Sequence, residues 1–264
     1  MDQRLEDAFV ELQLDTEDIV LETASMLKKR YNATMRRVLE VISLWWLHND
    51  ISNLTEAQTH MPELMAELDT IIDPGYEEIV TEMTELFAEV YAFNLCYAQT
   101  VLEIEEEEDH DSALLLFTAL GLASIPWVED GLTYEERMII RSQQLKNNIK
   151  QIVLRGATLG YGTKRIIKMV QDEIQSAVRV RAQVLVDEAN HFANEGVKYI
   201  SDDKFEGYEI SEVLDAKTCK FCASMHGLRF TWDKYDVGVS APSFHPRCRG
   251  RIIPVGKNLN THNI

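Results

Sequence analysis

The chain contains no run of eighteen apolar residues, so nothing in it reads as a membrane-spanning helix. Its opening residues, MDQRLEDAFVELQLD, lack the basic flank and apolar centre of a secretory signal, and we expect synthesis in a cytoplasm and no membrane partner. Basic residues are scarce at first: six Lys and Arg stand among residues 1–130, against 29 Asp and Glu, a net charge of −23. Such a region should be repelled by DNA, and it suits a basic protein partner or a solvated helical surface. Two catalytic signatures are missing. The stretch RGATLGYGTKRII (155–167) lacks the G-x-x-x-x-G-K-[ST] order of a phosphate loop, which excludes an NTPase of that kind. No H-x-E occurs, which excludes the zinc deaminases. Cysteine is scarce too, at four in 264 residues.

What is present is enough apolar side chain, 45%, for a real core, and a helical pattern over most of the length. Leu5, Ala8, Phe9 and Leu12 keep one face of a first helix. The acidic run Asp15–Asp18 suits the start of a second, which the apolar spacing carries to His48. A short helix is expected near Met61–Ile72, a stop at Asp73-Pro74-Gly75, then a helix from Gly75 to about Glu106. The run EIEEEEDHD (103–111) reads as a loop or a solvated helix end, Ala113–Leu120 as a short apolar helix, and GLASIPWVEDG (121–131) as a connector. Thr133 and Glu136 fit a capping box that opens a helix to about Leu154. After the glycine-rich turn, helix resumes behind Thr163, and RAQVLVDEANHFANEG (181–196) is read as a further helix with Gly196 as its C-cap. From Tyr208 the pattern turns strand-like, at Tyr208–Val213, Leu228–Phe230 and Arg251–Ile253, and VGKNLNTHNI (255–264) reads as a loose tail.

Residues 137–182 hold ten basic residues (Arg137, Arg141, Lys146, Lys150, Arg155, Lys164, Arg165, Lys168, Arg179 and Arg181) and two acids. That surface suits DNA, or docking on an acidic protein face. Asp187, Glu188 and His191 form a candidate metal or acid–base cluster, with Asp187 and His191 sharing a face at i, i+4; an ordinary polar helix face is the plainer reading.

Three of the four cysteines fall in the last 46 residues, as C-x₂-C-x₂₂-H-x₂-C: Cys219, Cys222, His245 and Cys248. A C-x-x-C turn brings two sulfurs to about 3.5–4 Å, the edge of a zinc–sulfur tetrahedron, and His245-x-x-Cys248 is a second two-donor arm. Two arms give a closed Cys₃His shell, the structural form of a zinc site, and zinc accepts mixed sulfur and nitrogen donors without a redox role. His245 precedes Pro246, which holds it extended. His226 is a spare donor, and Cys96 reads as a small core residue. A redox C-x-x-C pair would not call for the distant His-x-x-Cys. A small module gains folding free energy from such an ion, on the order of 10 kcal/mol. A zinc-dependent DNA-binding regulator and a metal-dependent hydrolase remain rivals; the hydrolase would need a carboxylate base, for which Asp215 and Asp233 are candidates.

DAKTCKFCASMHGLRF (215–230) followed by APSFHPRCRGRIIPV (241–255) resembles the C-terminal signature of the phage Mu F-like family of minor head, or head morphogenesis, proteins. Asp215, Thr218, Cys219, Cys222, Gly227, Phe230, Pro242, His245, Pro246, Cys248 and Arg249 fall into its pattern, and the helices with Gly160-Tyr161-Gly162 and RAQVLVDEAN are similar to its helical region. Gly250 departs from it, standing where many members have another cysteine, and Arg229 replaces a common lysine. The resemblance implies a non-enzymatic virion protein inside the head near the portal vertex. Its implied partners are the portal protein and the major capsid protein, and its implied role is in head assembly, DNA packaging or ejection. Packaged DNA is a further candidate partner, through the basic residues of 137–182 and through Arg247, Arg249 and Arg251, which fit a solvated edge strand equally well. The expected architecture is α+β: a mainly helical body with a small C-terminal zinc-stabilised β-rich module. It divides into an acidic helical region (1–130), a basic helical region (131–206) and a zinc-binding β module with its tail (207–264).

Overall fold

In the computed structural model, residues 3–104, 112–127, 130–245 and 248–257 are described. The acidic run at 105–111, Pro246 and Arg247, and residues 258–264 of the expected tail lie outside them. The chain is mainly helical and closes in a small antiparallel sheet. Its elements are α1 (Gln3–His48), α2 (Leu54–Val101), α3 (Ser112–Ala123), α4 (Tyr134–Thr158), α5 (Thr163–Ser201), β1 (Phe205–Ser211), α6 (Lys220–Met225), β2 (Arg229–Thr231), a 3₁₀ turn at Trp232–Lys234, and β3 (Arg251–Lys257). Among the described residues no helix is long and apolar enough to cross a membrane.

The helices are longer than periodicity suggested, for local reasons. Asp15–Asp18 does not start a second helix. No Gly or Pro interrupts residues 3–48, and the buried Thr16 hydroxyl donates to the Leu12 carbonyl (2.8 Å), a bond made inside a continuing helix rather than a cap. The helix α2 opens earlier than Met61, because Asn53 accepts the Glu56 N–H (3.1 Å) while the Glu56 carboxylate takes the Ser52 N–H (2.8 Å). It then runs through Asp73-Pro74-Gly75. A proline inside a helix costs about 3 kcal/mol. Ile71, Ile72, Tyr76 and Ile79 are buried on both sides of it, and each returns about 1.5–3 kcal/mol on leaving water.

Gly196 does not end a helix. A Cβ there would lie 2.5 Å from the Tyr91 carbonyl oxygen, so this glycine lets α5 and α2 touch backbone to backbone while α5 continues to Ser201.

Backbone contacts divide the chain into two compact units. One comprises Ala24–Glu82 and Tyr134–Ala182. Within it Tyr31 meets Tyr76 edge-on (6.3 Å), and Lys146 reaches Asp69 (2.8 Å) and Asp73 (2.9 Å). The other comprises Met1–Thr23, Met83–Thr133 and Gln183–Ile264. Phe87 stacks on Phe192 there (5.0 Å), and Asn94 donates to the Thr16 hydroxyl (3.1 Å).

This second unit contains the sheet, ordered β2-β1-β3, with Tyr208 of β1 opposite Phe230 on one side and Pro254 on the other. Tyr208 is fully buried and gathers Phe230 (5.9 Å), Trp232 (5.1 Å) and Tyr235 (5.4 Å) around its ring. An aromatic cluster replaces the larger apolar core that three short strands cannot supply.

Candidate metal centre

The chain leaves β1 at Ser211 and makes a polar turn before the first cysteine. The Asp215 carboxylate takes the Lys217 N–H (2.8 Å), and the Thr218 hydroxyl takes the Asp215 N–H (3.2 Å). Cys219 is then the N-cap of the six-residue α6: its sulfur accepts the Cys222 N–H (3.3 Å). One turn of helix therefore presents Cys219 and Cys222 together. His226 closes α6 and is occupied elsewhere, its Nδ1 accepting the Glu212 N–H (3.1 Å), so the spare donor is not at the site.

The second arm is held by α5 and α1. Asn190 donates to the Cys248 carbonyl and accepts from Arg251 Nη1 (2.9 Å). One turn later, Asn194 donates to the Gly250 carbonyl (3.3 Å) and accepts the Ile252 N–H (3.1 Å). Gln13 donates to the Arg249 carbonyl (2.7 Å). Within the arm, the Cys248 N–H returns to the His245 carbonyl (3.0 Å). Asp215 and Arg249 tie the two arms together with two bonds (3.0 and 2.6 Å).

The donors form a continuous chain. His245 Nε2 lies 3.2 Å from Cys219 Sγ and 3.0 Å from Cys222 Sγ. Cys222 Sγ lies 3.8 Å from Cys248 Sγ, and Cys248 Sγ 3.8 Å from Glu212 Oε1. Two groups result, each with its donor atoms within 4.8 Å of one another: Cys219, Cys222 and His245, and Glu212, Cys222 and Cys248. The four residues of the sequence pattern thus meet through Cys222, and a buried carboxylate that the pattern did not include joins them.

Electrostatics separates the thiols. The Cys222 N–H at the helix start pulls the Cys219 thiol down to about 7. Burial pushes Cys222 up, and Cys248 and Glu212 beside it add to the shift. Burial likewise raises Cys248 and Glu212. Packing thiols and a carboxylate in the interior is costly with protons as their only countercharge, and a soft divalent cation relieves it. Three sulfurs and an imidazole nitrogen fit zinc by donor type, and Cys222 is the donor that the two groups share.

The other candidates are placed apart from this group. Asp215 is engaged by Arg249, which holds its carboxyl well below the usual carboxylate range, so it is poorly suited to act as a base. Asp233 lies in the 3₁₀ turn, 3.9 Å from Lys234. Glu188 accepts from Trp127 Nε1 (2.7 Å), and His191 stacks on the Trp127 ring (4.7 Å), so that pair anchors the connector after α3. Arg251 is buried against Asn190, a correction to its expected exposure on an edge strand or toward DNA.

Sequence reading passed over Asn190, Asn194, Gln13 and Glu212. Two asparagines four apart in an otherwise apolar helix face were the available signal. Gln13 and Glu212 had none, because what each does depends on chain brought close by folding.

Long helices, a small sheet and paired cysteine arms together define a mainly helical protein with a small C-terminal β unit that carries a Cys/His cluster. Residues 147–253 match the family model of Phage Mu protein F like protein, from within α4 to within β3. The C-terminal part of the chain is therefore similar to the Mu F-like proteins, a similarity that points to phage head morphogenesis and a virion component. No curated protein and no solved structure matches the chain.

Proposed function

We propose that the chain is a phage minor head protein, located in the capsid interior near the portal vertex. It binds the portal protein, with the major capsid protein as a second partner, and assists head morphogenesis, DNA packaging or ejection as a structural part rather than a catalyst. The observation that supports this reading is the Mu F-like match, which spans α5 together with every donor of the metal group. Cys219, Cys222, His245 and Cys248 hold a structural zinc ion that joins the two arms and contributes folding free energy on the order of 10 kcal/mol.

The partner is a protein surface more than DNA. In the basic stretch, Arg137 is buried and Lys146 is held by two aspartates, while Arg249 is paired and Arg251 buried in the module. Packaged DNA is left the exposed Arg155, Lys164, Arg165, Lys168 and Arg179, of which Arg165 lies over the Tyr161 ring and Lys168 pairs with Asp172.

The test is quantitative mass spectrometry of purified virions before and after triggered DNA release. A few copies per particle are expected, and their loss on release would make the protein an ejected one. Absence from particles and from assembly intermediates would end the virion reading.

A further inference from the structure

Glu212 is the one donor of the cluster that lies in neither cysteine arm. It follows directly on β1, and its residue is 5% exposed. Its Oε1 is 3.8 Å from Cys248 Sγ, and it forms a compact group with Cys222 and Cys248.

A carboxylate removed from water needs strong donors. Those facing Glu212 among the described residues are the Cys248 and Cys222 thiols, and S–H is a weak donor. Those same thiols cease to donate once a metal ion displaces their protons and binds them as thiolates. Glu212 would then sit beside two thiolates with no hydrogen bond from either, unless it too reached the cation.

The backbone around it is shaped to keep it there. A Cβ at Gly250 would lie 2.5 Å from Glu212 Oε1 and 2.9 Å from Pro242 Cβ. The space beside Cys248 is thus reserved for the carboxylate by the lack of a side chain at 250. Asn194 holds the Gly250 carbonyl from the other side (3.3 Å).

We propose that Glu212 is a ligand of the metal centre, supplying a carboxylate oxygen on the Cys222–Cys248 side of the group. The proposal rests on the reading of the cysteine arms as a zinc site. It adds a fifth donor to the four of the cysteine arms, so the shell is an expanded, five-coordinate one of three sulfurs, one nitrogen and one oxygen in place of the closed tetrahedral form.

Zinc K-edge X-ray absorption on the zinc-loaded full chain reads this directly. Sulfur scatters at about 2.3 Å, while imidazole nitrogen and carboxylate oxygen lie at about 2.0–2.2 Å. Two light scatterers are expected in the wild type, falling to one in Glu212→Gln with the sulfur count unchanged.

Cobalt(II) titration supplies a second readout. In Glu212→Gln the thiolate charge-transfer bands should persist while the ligand-field bands move, and affinity should fall by at least about tenfold, the scale on which ligand surroundings act. Glutamine keeps the shape and can donate to sulfur. A variant with the wild-type cobalt spectrum, or a wild-type shell with a single light atom, would therefore overturn the proposal. If Glu212→Gln does not fold, the wild-type absorption data decide alone. A wild type that takes up neither zinc nor cobalt would instead overturn the zinc reading beneath it.

Discussion

His191 shows how one residue can be present for packing and still govern a pH response. It is 5% exposed and lies between Trp127, on which it stacks, and Phe192, which meets it edge-on (5.8 Å). Burial, with Lys198 adding a smaller push, holds its ring down to about 3, so it is neutral in the folded protein at any ordinary pH. The unfolded chain protonates near 6.5. Between those two values the unfolded state binds a proton that the folded state refuses, and stability falls as pH drops through that window. Glu195, 4.0 Å from His191 Nδ1, works in the opposite sense, because burial raises its carboxyl and its contribution is lost as pH rises. Urea denaturation at pH 7 and pH 5 should show His191→Phe, which keeps an aromatic ring against Trp127, losing about 2 kcal/mol less than wild type on acidification. Equal losses would show that His191 does not control the response. Asn194 makes a simpler residue-scale case. It is fully buried, its oxygen bonding Ile252 of β3 and its nitrogen the Gly250 carbonyl just before the strand. Asn194→Ala strands the Ile252 N–H and the Gly250 carbonyl and should cost about 1–3 kcal/mol in the same assay.

At the scale of elements, most helices and all three strands were legible, because apolar spacing and β-rich composition are local properties. The errors fell where a local signal had a second possible meaning. Acidic residues at Asp15–Asp18 resemble a helix start, yet Thr16 is buried and bonded within its own helix. Gly196 resembles a C-cap, yet it marks the crossing of α5 over α2 at the Tyr91 carbonyl. The two meanings predict opposite signs on substitution. Alanine at an exposed interior helix position gains about 1 kcal/mol over glycine. Gly196→Ala instead drives a Cβ into a backbone oxygen that no side-chain rotation can move, and should cost about 1–3 kcal/mol. Thermal unfolding monitored by circular dichroism checks it: a raised Tm would mean that the two helices have room to separate. That Cys219, Cys222, His245 and Cys248 come together was legible by spacing alone. What positions them, the Asn190 and Asn194 pair and Gln13, was not, because a hydrogen bond from one helix to a loop almost sixty or more than two hundred residues later leaves no mark in either segment.

For the whole molecule, charge changes meaning once the chain is folded. Along the sequence an acidic first half precedes a mildly basic second. The unit made of 24–82 and 134–182 carries 15 Lys and Arg against 14 Asp and Glu, close to neutral, and the remaining residues carry 11 against 30. The basic helices are thus folded in with part of the acidic chain, Lys146 with Asp69 and Asp73 being the visible case, and all the excess negative charge belongs to the unit that holds the cysteine arms. That unit has the most to lose without a countercharge, since the buried Cys222 and Cys248 thiols, Glu212 and the small sheet share one interior, with Cys219 at its edge. Removing zinc should therefore act unevenly. In hydrogen-exchange mass spectrometry of the zinc-loaded full chain, an excess of chelator should speed exchange in β1, α6 and β3 and in the α5 turn bearing Asn190 and Asn194. Exchange at 24–82 and 134–182 should change little. A free energy on the order of 10 kcal/mol for a structural zinc exceeds what a three-stranded sheet holds by itself, so the accelerated segments should approach the rates of unfolded chain. Uniform acceleration over both units would show that the ion stabilises the molecule globally. Unchanged exchange throughout would mean that the arms stand without a metal, held by the asparagine bonds and the Asp215–Arg249 tie alone.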